Sequence, residues 1–319
     1  MNPLLFVHVP KTAGTSFRLG ASAYFGDDSV CFDYGPNSSE TSDVVRKWMG
    51  QNPDHWSFFR EIKYGNKRLL SGHSNAMRYL PVFGLENTVT ILRDPIQRLV
   101  SEYMHFSRHH GYEGDFESFY KKPTFTNRQG SFFKGLPWPV LGFIGLTERY
   151  EESLRLLNRK YDVDIPILTR NLWRSDLREK YELPPNQLTE LRKRNADEIG
   201  LYEKAVSQFE WRVLLSQEGE KFVAGLISTQ NKGRILGCAI PEQGDDAVVL
   251  RVIIDGVDKG EVLANENRPG LRANGARRGG FVGFSIDVSG FPEGAVLECK
   301  VAETGQPLVN SPWVIQNED

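Results

Sequence analysis

The sequence predicts an α/β fold, a parallel sheet flanked by helices, followed by a small C-terminal antiparallel β-sandwich. Three observations carry that expectation. Leu4 to Val9 (LLFVHV) is a nearly continuous apolar run that stops at Pro10, and a Gly-containing turn and a helical pattern follow it. Thr88 to Leu92 (TVTIL) runs in the same way into a second helical pattern. Finally, 15 of the chain's 30 glycines fall between Gly219 and Gly305, where short alternating runs replace longer helical ones. Apolar runs without alternation suit strands buried on both faces, whereas alternation suits sheets packed on one face.

Each element has a local reason. After the first strand the helix opens around Ser16-Phe17-Arg18-Leu19. After the second, Asp94 suits an N-cap and Pro95 the first helical position, so a helix is expected from Pro95 to about Arg108. Glu148 to Asn158 is amphipathic, Ile165 to Leu168 reads as a strand, and Leu188 to Phe209 as mostly helix. Beyond Lys232 strands are expected at Arg234–Ala239, Val248–Ile254, Phe281–Val288 and Ala295–Ala302, with turns at Asp255-Gly256 and Ser289-Gly290. The junction is placed within 215–232, giving domains at 1–218 and 230–319 of the 319 residues.

Composition narrows the function. A net charge of −2 argues against a general nucleic-acid binder. Cys31, Cys238 and Cys299 are odd in number and widely spaced, so they suit small buried residues in a reducing compartment better than zinc ligands or disulfides. The N-terminal residues lack a signal-peptide pattern, and no run approaches the ~20 apolar residues of a membrane span. A cytoplasmic protein is expected.

The chemistry is concentrated in Val9-Pro10-Lys11-Thr12-Ala13-Gly14-Thr15-Ser16, between a strand and a helix. Backbone N–H groups converge at such a turn, and the helix N-terminus adds positive potential. Gly14 allows close approach of an anion, Thr15 and Ser16 add hydroxyls, and Lys11 adds a full charge. The loop is P-loop-like, yet GxxxxGK(S/T) is absent and the lysine precedes the glycine. That pattern points to a nucleotide whose transferring group needs no metal. Arg93 leaves the end of the second strand with Ser101 two turns into its helix. Ligands of open α/β sheets lie at the strands' carboxyl ends, so Arg93 is expected beside the Lys11 loop, gripping another phosphate together with Ser101. Asp94 is read as a cap, and Arg98 as either a phosphate ligand or a solvated charge.

FVHVPKTAGTSF resembles the loop that binds the 5′-phosphosulfate of 3′-phosphoadenosine 5′-phosphosulfate (PAPS) in sulfotransferases, and TVTILRDPIQRLVSEYMHF resembles their 3′-phosphate-binding strand and helix. The pattern is nearest to carbohydrate sulfotransferases of the heparan sulfate 2-O type. Asn127-Arg128-Gln129, Phe143-Ile144-Gly145-Leu146-Thr147-Glu148 and Glu152-Ser153-Leu154 are typical of the same superfamily, and the likeness covers roughly 4–212. It implies PAPS as co-substrate, no metal, and cofactor-binding roles for Lys11, Thr12, Ala13, Gly14, Thr15, Ser16, Arg93 and Ser101. Lys11 would also stabilise the leaving phosphate. One nucleotide would have to touch both Lys11 and Arg93.

Of six histidines, His8 is read as structural, and His55, His105, His109 and His110 as surface residues. In the 2-O-type pattern a Gly-His pair carries the catalytic base, which implies that role for His73 here. The family's preceding histidine is replaced by Ser71. Glu61 and Glu102 stay open as alternative bases. The stretch from Arg234 to Val288 resembles a β-sandwich module attached to bacterial glycosyltransferases; glycan binding, dimerisation and support are all open roles for it. The expected acceptor is a carbohydrate, a bacterial surface glycan or its precursor. Protein tyrosine or a small metabolite is the alternative acceptor, and a nucleotide-binding P-loop kinase-like protein the alternative class. Asn171 and Arg174 are read as closing over the nucleotide.

Overall fold

The computed structural model describes residues 2–168 and 180–316. Two compact units divide the chain. One runs up to Phe83 and takes in Asn87–Leu136 and Phe143–Val206; the other takes Gly84–Glu86, Pro137–Gly142 and the described chain from Ser207.

The first unit is built on five strands, β1 (Leu4–Val7), β2 (Val30–Asp33), β3 (Leu69–Gly72), β4 (Thr88–Leu92) and β5 (Phe143–Leu146). They form one parallel sheet in the order β2-β3-β1-β4-β5. Every residue of β1, β3, β4 and β5 is buried, as uninterrupted apolar runs require of a sheet covered on both faces. The accompanying helices are α1 (Gly14–Phe25), α2 (Asp43–Met49), α3 (His55–Tyr64), α4 (Leu80–Phe83), α5 (Pro95–His109), α6 (Phe116–Tyr120), α7 (Arg128–Ser131), α8 (Tyr150–Tyr161), α9 (Pro185–Arg194) and the first half of α10 (Ala196–Glu218), which from Ser207 belongs to the second unit. Asp94 caps α5 by accepting the Gln97 N–H at 2.9 Å, with Pro95 in the first turn.

Two elements differ from expectation. No strand forms at 165–168. Pro166 supplies no N–H, and the Asn158 side chain satisfies both polar groups of Ile165, donating to its carbonyl (2.9 Å) and accepting its N–H (3.2 Å). The helix expected over 188–209 is broken at Asn195. Its buried side-chain amide donates to Leu191 O (2.8 Å), closing α9, and α10 begins at the next residue.

The second unit carries β6 (Val223–Asn231), β7 (Arg234–Pro241), β8 (Val248–Ile254), β9 (Val257–Ala264), β10 (Glu266–Asn267), β11 (Phe281–Asp287), β12 (Val296–Val301) and β13 (Trp313–Val314), with α11 (Pro269–Ala273). Two antiparallel sheets, β10-β11-β7-β6 and β13-β12-β8-β9, share a core that includes Ile227, Ile235, Leu250, Phe284 and Leu297. Burying each such side chain contributes about 1.5–3 kcal/mol. Asp255 and Gly256 take φ of 49° and 76°, the double left-handed turn that joins β8 to β9. Strand β6 lies inside the stretch where the sequence places the junction. All three cysteines are buried and free, and burial pushes their thiols up, Cys31 to about 11 and Cys238 and Cys299 to about 12.

Candidate active site

Strands β3, β1 and β4 are neighbours at the centre of the sheet, and all point the same way. Their carboxyl ends deliver His73, the loop from His8 to Ser16, and Arg93 to one edge. This is where an open α/β sheet binds ligands.

The loop is wound for an anion. Lys11 and Ala13 take left-handed φ of 68° and 64°, a conformation that non-glycine residues adopt at a cost of about 1–2 kcal/mol. Such turns gather N–H groups into a concave nest. Ala13 is the N-cap of α1, and Phe17 N–H returns to its carbonyl at 3.2 Å. The N–H groups of the first turn, from Gly14 to Ser16, have no partner within the helix. Gly14 is required by its surroundings, because a Cβ there would lie 2.0 Å from His8 Cδ2. Thr12 is buried and turns its hydroxyl onto Val9 O (2.9 Å), so it braces the loop. Thr15 is half-buried and Ser16 buried in the first turn of α1. Lys11 makes no ion pair among the described residues; burial and then Arg93 lower its pKa, and Glu102 opposes them.

Arg93 is buried, and its Nη1 donates to Lys11 O at 3.2 Å. The two expected anion grips are therefore in contact. The Arg93 peptide is held by Gln129, whose amide accepts its N–H (3.0 Å) and donates to its carbonyl (2.8 Å). One residue on, Asp94 N–H donates to Glu148 Oε1 (3.0 Å), while Tyr202 holds the other carboxylate oxygen (2.7 Å). Thr147 hydroxyl donates to Leu92 O (3.0 Å). Ser153 hydroxyl brackets Leu146, receiving its N–H at 2.8 Å. Gln129, Thr147, Glu148 and Ser153 lie in the segments singled out by resemblance, which gives them no roles, and Tyr202 lies outside them; together they frame the end of β4.

His73 keeps an exposed edge but lies against the rings of His8 (4.3 Å between centroids) and Tyr34 (4.7 Å). Its Nδ1 is 2.6 Å from His8 O. A carbonyl only accepts, so Nδ1 carries the proton and Nε2 offers a bare lone pair. Burial lowers the His73 pKa, the His8 carbonyl opposes this, Arg128 and Arg18 lower it further, and Glu40 raises it. The ring is thus neutral near pH 7. Gly72, just before it, lets β3 lie close to β2, since a Cβ there would lie 2.5 Å from Asp33 O.

Ser101 is half-buried on α5, one helical turn before His105. His105, read as a surface residue, lies near the loop: burial and then Lys11, His109 and His110 lower it to about 4. Arg98 is not solvated but fully buried, donating to Glu198 (3.1 Å), Glu102 (2.6 Å) and Phe125 O (2.8 Å). Glu102 is paired with both Arg98 and Arg128 in a structural network. Glu61 receives the Trp48 indole N–H. Asn171 and Arg174 lie outside the described residues. Among the described residues no cluster of three or more His, Cys, Asp or Glu side chains is arranged to hold a metal, and no helix is long and apolar enough to cross a membrane.

No protein-family model matches the chain, and no curated protein matches it. The crystal structure of a sulfotransferase from Alicyclobacillus acidocaldarius is similar over 62% of this chain and 92% of its own, at 14% identity and a TM-score of 0.34. A likeness that remote decides nothing about the reaction.

Proposed function

We propose that the chain transfers the sulfuryl group of PAPS to a hydroxyl of a carbohydrate acceptor, with the chemistry in residues 1–218 and the 230–319 sandwich as an accessory module. One observation carries this reading: three adjacent strand ends bring a cationic anion-binding loop, a second buried cation and a neutral imidazole with a bare Nε2 together. The residues fit a nucleotide with phosphates at two positions. The 11–16 turn suits the 5′-phosphosulfate, and Arg93 with Ser101 suits the 3′-phosphate. His73 Nε2 takes the acceptor proton as the acceptor oxygen bonds to sulfur. The bond from sulfur to the bridging oxygen breaks, and its electron pair stays on the departing adenosine 3′,5′-bisphosphate beside Lys11. Glu61 and Glu102 are engaged by other side chains, one by Trp48 and the other by two arginines.

Thermal shift tests the donor site. Adenosine 3′,5′-bisphosphate at ~100 times its Kd is expected to stabilise the fold by about 2.7 kcal/mol, and ATP with magnesium to leave it unchanged. Sulfur-labelled PAPS on a glycan array then tests the acceptor. Label on glycans supports the whole reading, whereas label on tyrosine peptides alone would replace the carbohydrate. Stabilisation by magnesium ATP with no label transferred anywhere would overturn the reading in favour of a kinase-like protein.

A further inference from the structure

Sulfuryl transfer as proposed leaves the His8 imidazole unused, although it lies against the base. His8 is only 5% exposed. Its Nδ1 is 2.9 Å from the Tyr34 hydroxyl. Burial keeps the Tyr34 phenol protonated, and both the Ser71 hydroxyl and Arg18, a group with donors only, act on its oxygen. With Ser71 and Arg18 as donors to that oxygen, the phenol proton is left for His8 Nδ1. His8 is itself neutral, through burial first and then the charges of His73, Arg18 and Lys11. A neutral ring that accepts at Nδ1 carries its proton on Nε2. That atom faces the first turn of α1, where a Cβ on Gly14 would lie 2.2 Å from it. It makes no hydrogen bond among the described residues.

The two adjacent imidazoles thus hold opposite tautomers: His73 offers an acceptor at Nε2, His8 a donor at Nε2. We propose that His8 is a second catalytic imidazole, an uncharged Nε2–H donor that hydrogen-bonds an oxygen of the transferring sulfuryl group while His73 takes the acceptor proton. This inference rests on the sulfuryl-transfer reading and adds a residue to it. His8 keeps its proton throughout, so the bonds made and broken are those already given. A neutral donor suits the position, because a further cation would be repelled by Lys11 and Arg18 and would have to be desolvated.

Two measurements on the full chain test it. Long-range proton–nitrogen NMR of the ring nitrogens at about pH 7.5 is expected to find the His8 proton on Nε2 and the His73 proton on Nδ1. A His8 proton on Nδ1 overturns the inference whether or not the enzyme is active. In the second, His8→Phe keeps a planar ring of similar size, and His8→Gln returns an amide N–H near the Nε2 position. His8→Phe is expected to lower PAPS turnover about 10²-fold while adenosine 3′,5′-bisphosphate, which has no sulfuryl group, binds within about threefold of wild type. His8→Gln should recover about tenfold or more of that loss. Parallel loss of turnover and nucleotide affinity in His8→Phe, or no recovery in a folded His8→Gln protein, marks a merely structural ring and overturns the inference. Wild-type protein that never turns over PAPS refutes the parent reading and this role together; reversed tautomers in an active enzyme refute this role alone.

Discussion

The His73 ring donates from Nδ1 to a main-chain carbonyl, so its basic nitrogen is fixed by backbone geometry and survives any change of neighbouring side chains short of unfolding. Its pKa is held below 6.5, chiefly by burial. Protonation is therefore the event that stops proton abstraction, and the acid limb of the pH–rate profile is expected below pH 6.5. A limb centred above that value would exclude His73 as the titrating base. Replacing His73 with alanine should lower turnover by about 10²–10⁴-fold and leave nucleotide affinity, read by calorimetry, nearly unchanged. Lys11→Ala should reduce both. The same histidines link pH to stability. His8 and His73 bind protons more weakly folded than unfolded, so folding free energy is full above about pH 6.5 and is lost as pH falls toward their folded values. Urea titrations at stepped pH measure that slope, which should flatten in the His8→Phe protein.

Among the elements, α5 is the most constrained, because Arg98 on its buried face joins α10 through Glu198 and meets the 125 turn through Phe125 O. Arg98→Met would leave the buried Glu198 carboxylate without its partner and Glu102 with Arg128 alone, and should cost about 3–5 kcal/mol in urea unfolding. A loss below about 1 kcal/mol would show that water or protonation replaces the guanidinium. At the start of α1, Gly14→Ala forces a methyl into the His8 ring; a destabilisation of about 1–3 kcal/mol is expected, with weakened nucleotide binding. Local signals made several elements legible. The apolar runs of β1 and β4, the Asp94-Pro95 start of α5, and the alternation of β7, β8, β11 and β12 depend on neighbours in sequence. Gln129, Glu148 and Asn195 were not legible in that way, since each acts on a main-chain group of a residue far along the chain. Ile165 misled for a related reason: an apolar, β-branched residue in a strand-like run has its polar groups taken by the side chain of Asn158. Arg98 reads from the sequence as a phosphate ligand or a solvated charge because its carboxylate partner Glu198 is 100 residues away.

For the whole molecule, the second unit is discontinuous in sequence. Leu85 N–H donates to Asn274 O (2.9 Å), Arg277 pairs with Glu86, and Gln208 donates to Pro139 O (2.7 Å), so short segments from the first two-thirds of the chain belong to it. A chain ended after Glu218 would keep Gly84–Glu86 and Pro137–Gly142 while losing Asn274 and Arg277. It is expected to melt at lower temperature than the full chain or to aggregate, which calorimetry and sedimentation would detect. A truncated chain with unchanged melting would show that these contacts add nothing to the sheet unit.

The strand order carries a consequence for biosynthesis. β1 sits at the centre of its sheet, yet both of its neighbours, β3 and β4, follow it by more than sixty residues. At about 5–20 residues per second a ribosome needs several seconds to produce them. Throughout that interval the segment Leu-Leu-Phe-Val has both edges open and nothing to pair with, which makes it the stretch a chaperone would most need to shield. The same delay means that the 11–16 loop, His73 and Arg93 come together only once translation has passed β4.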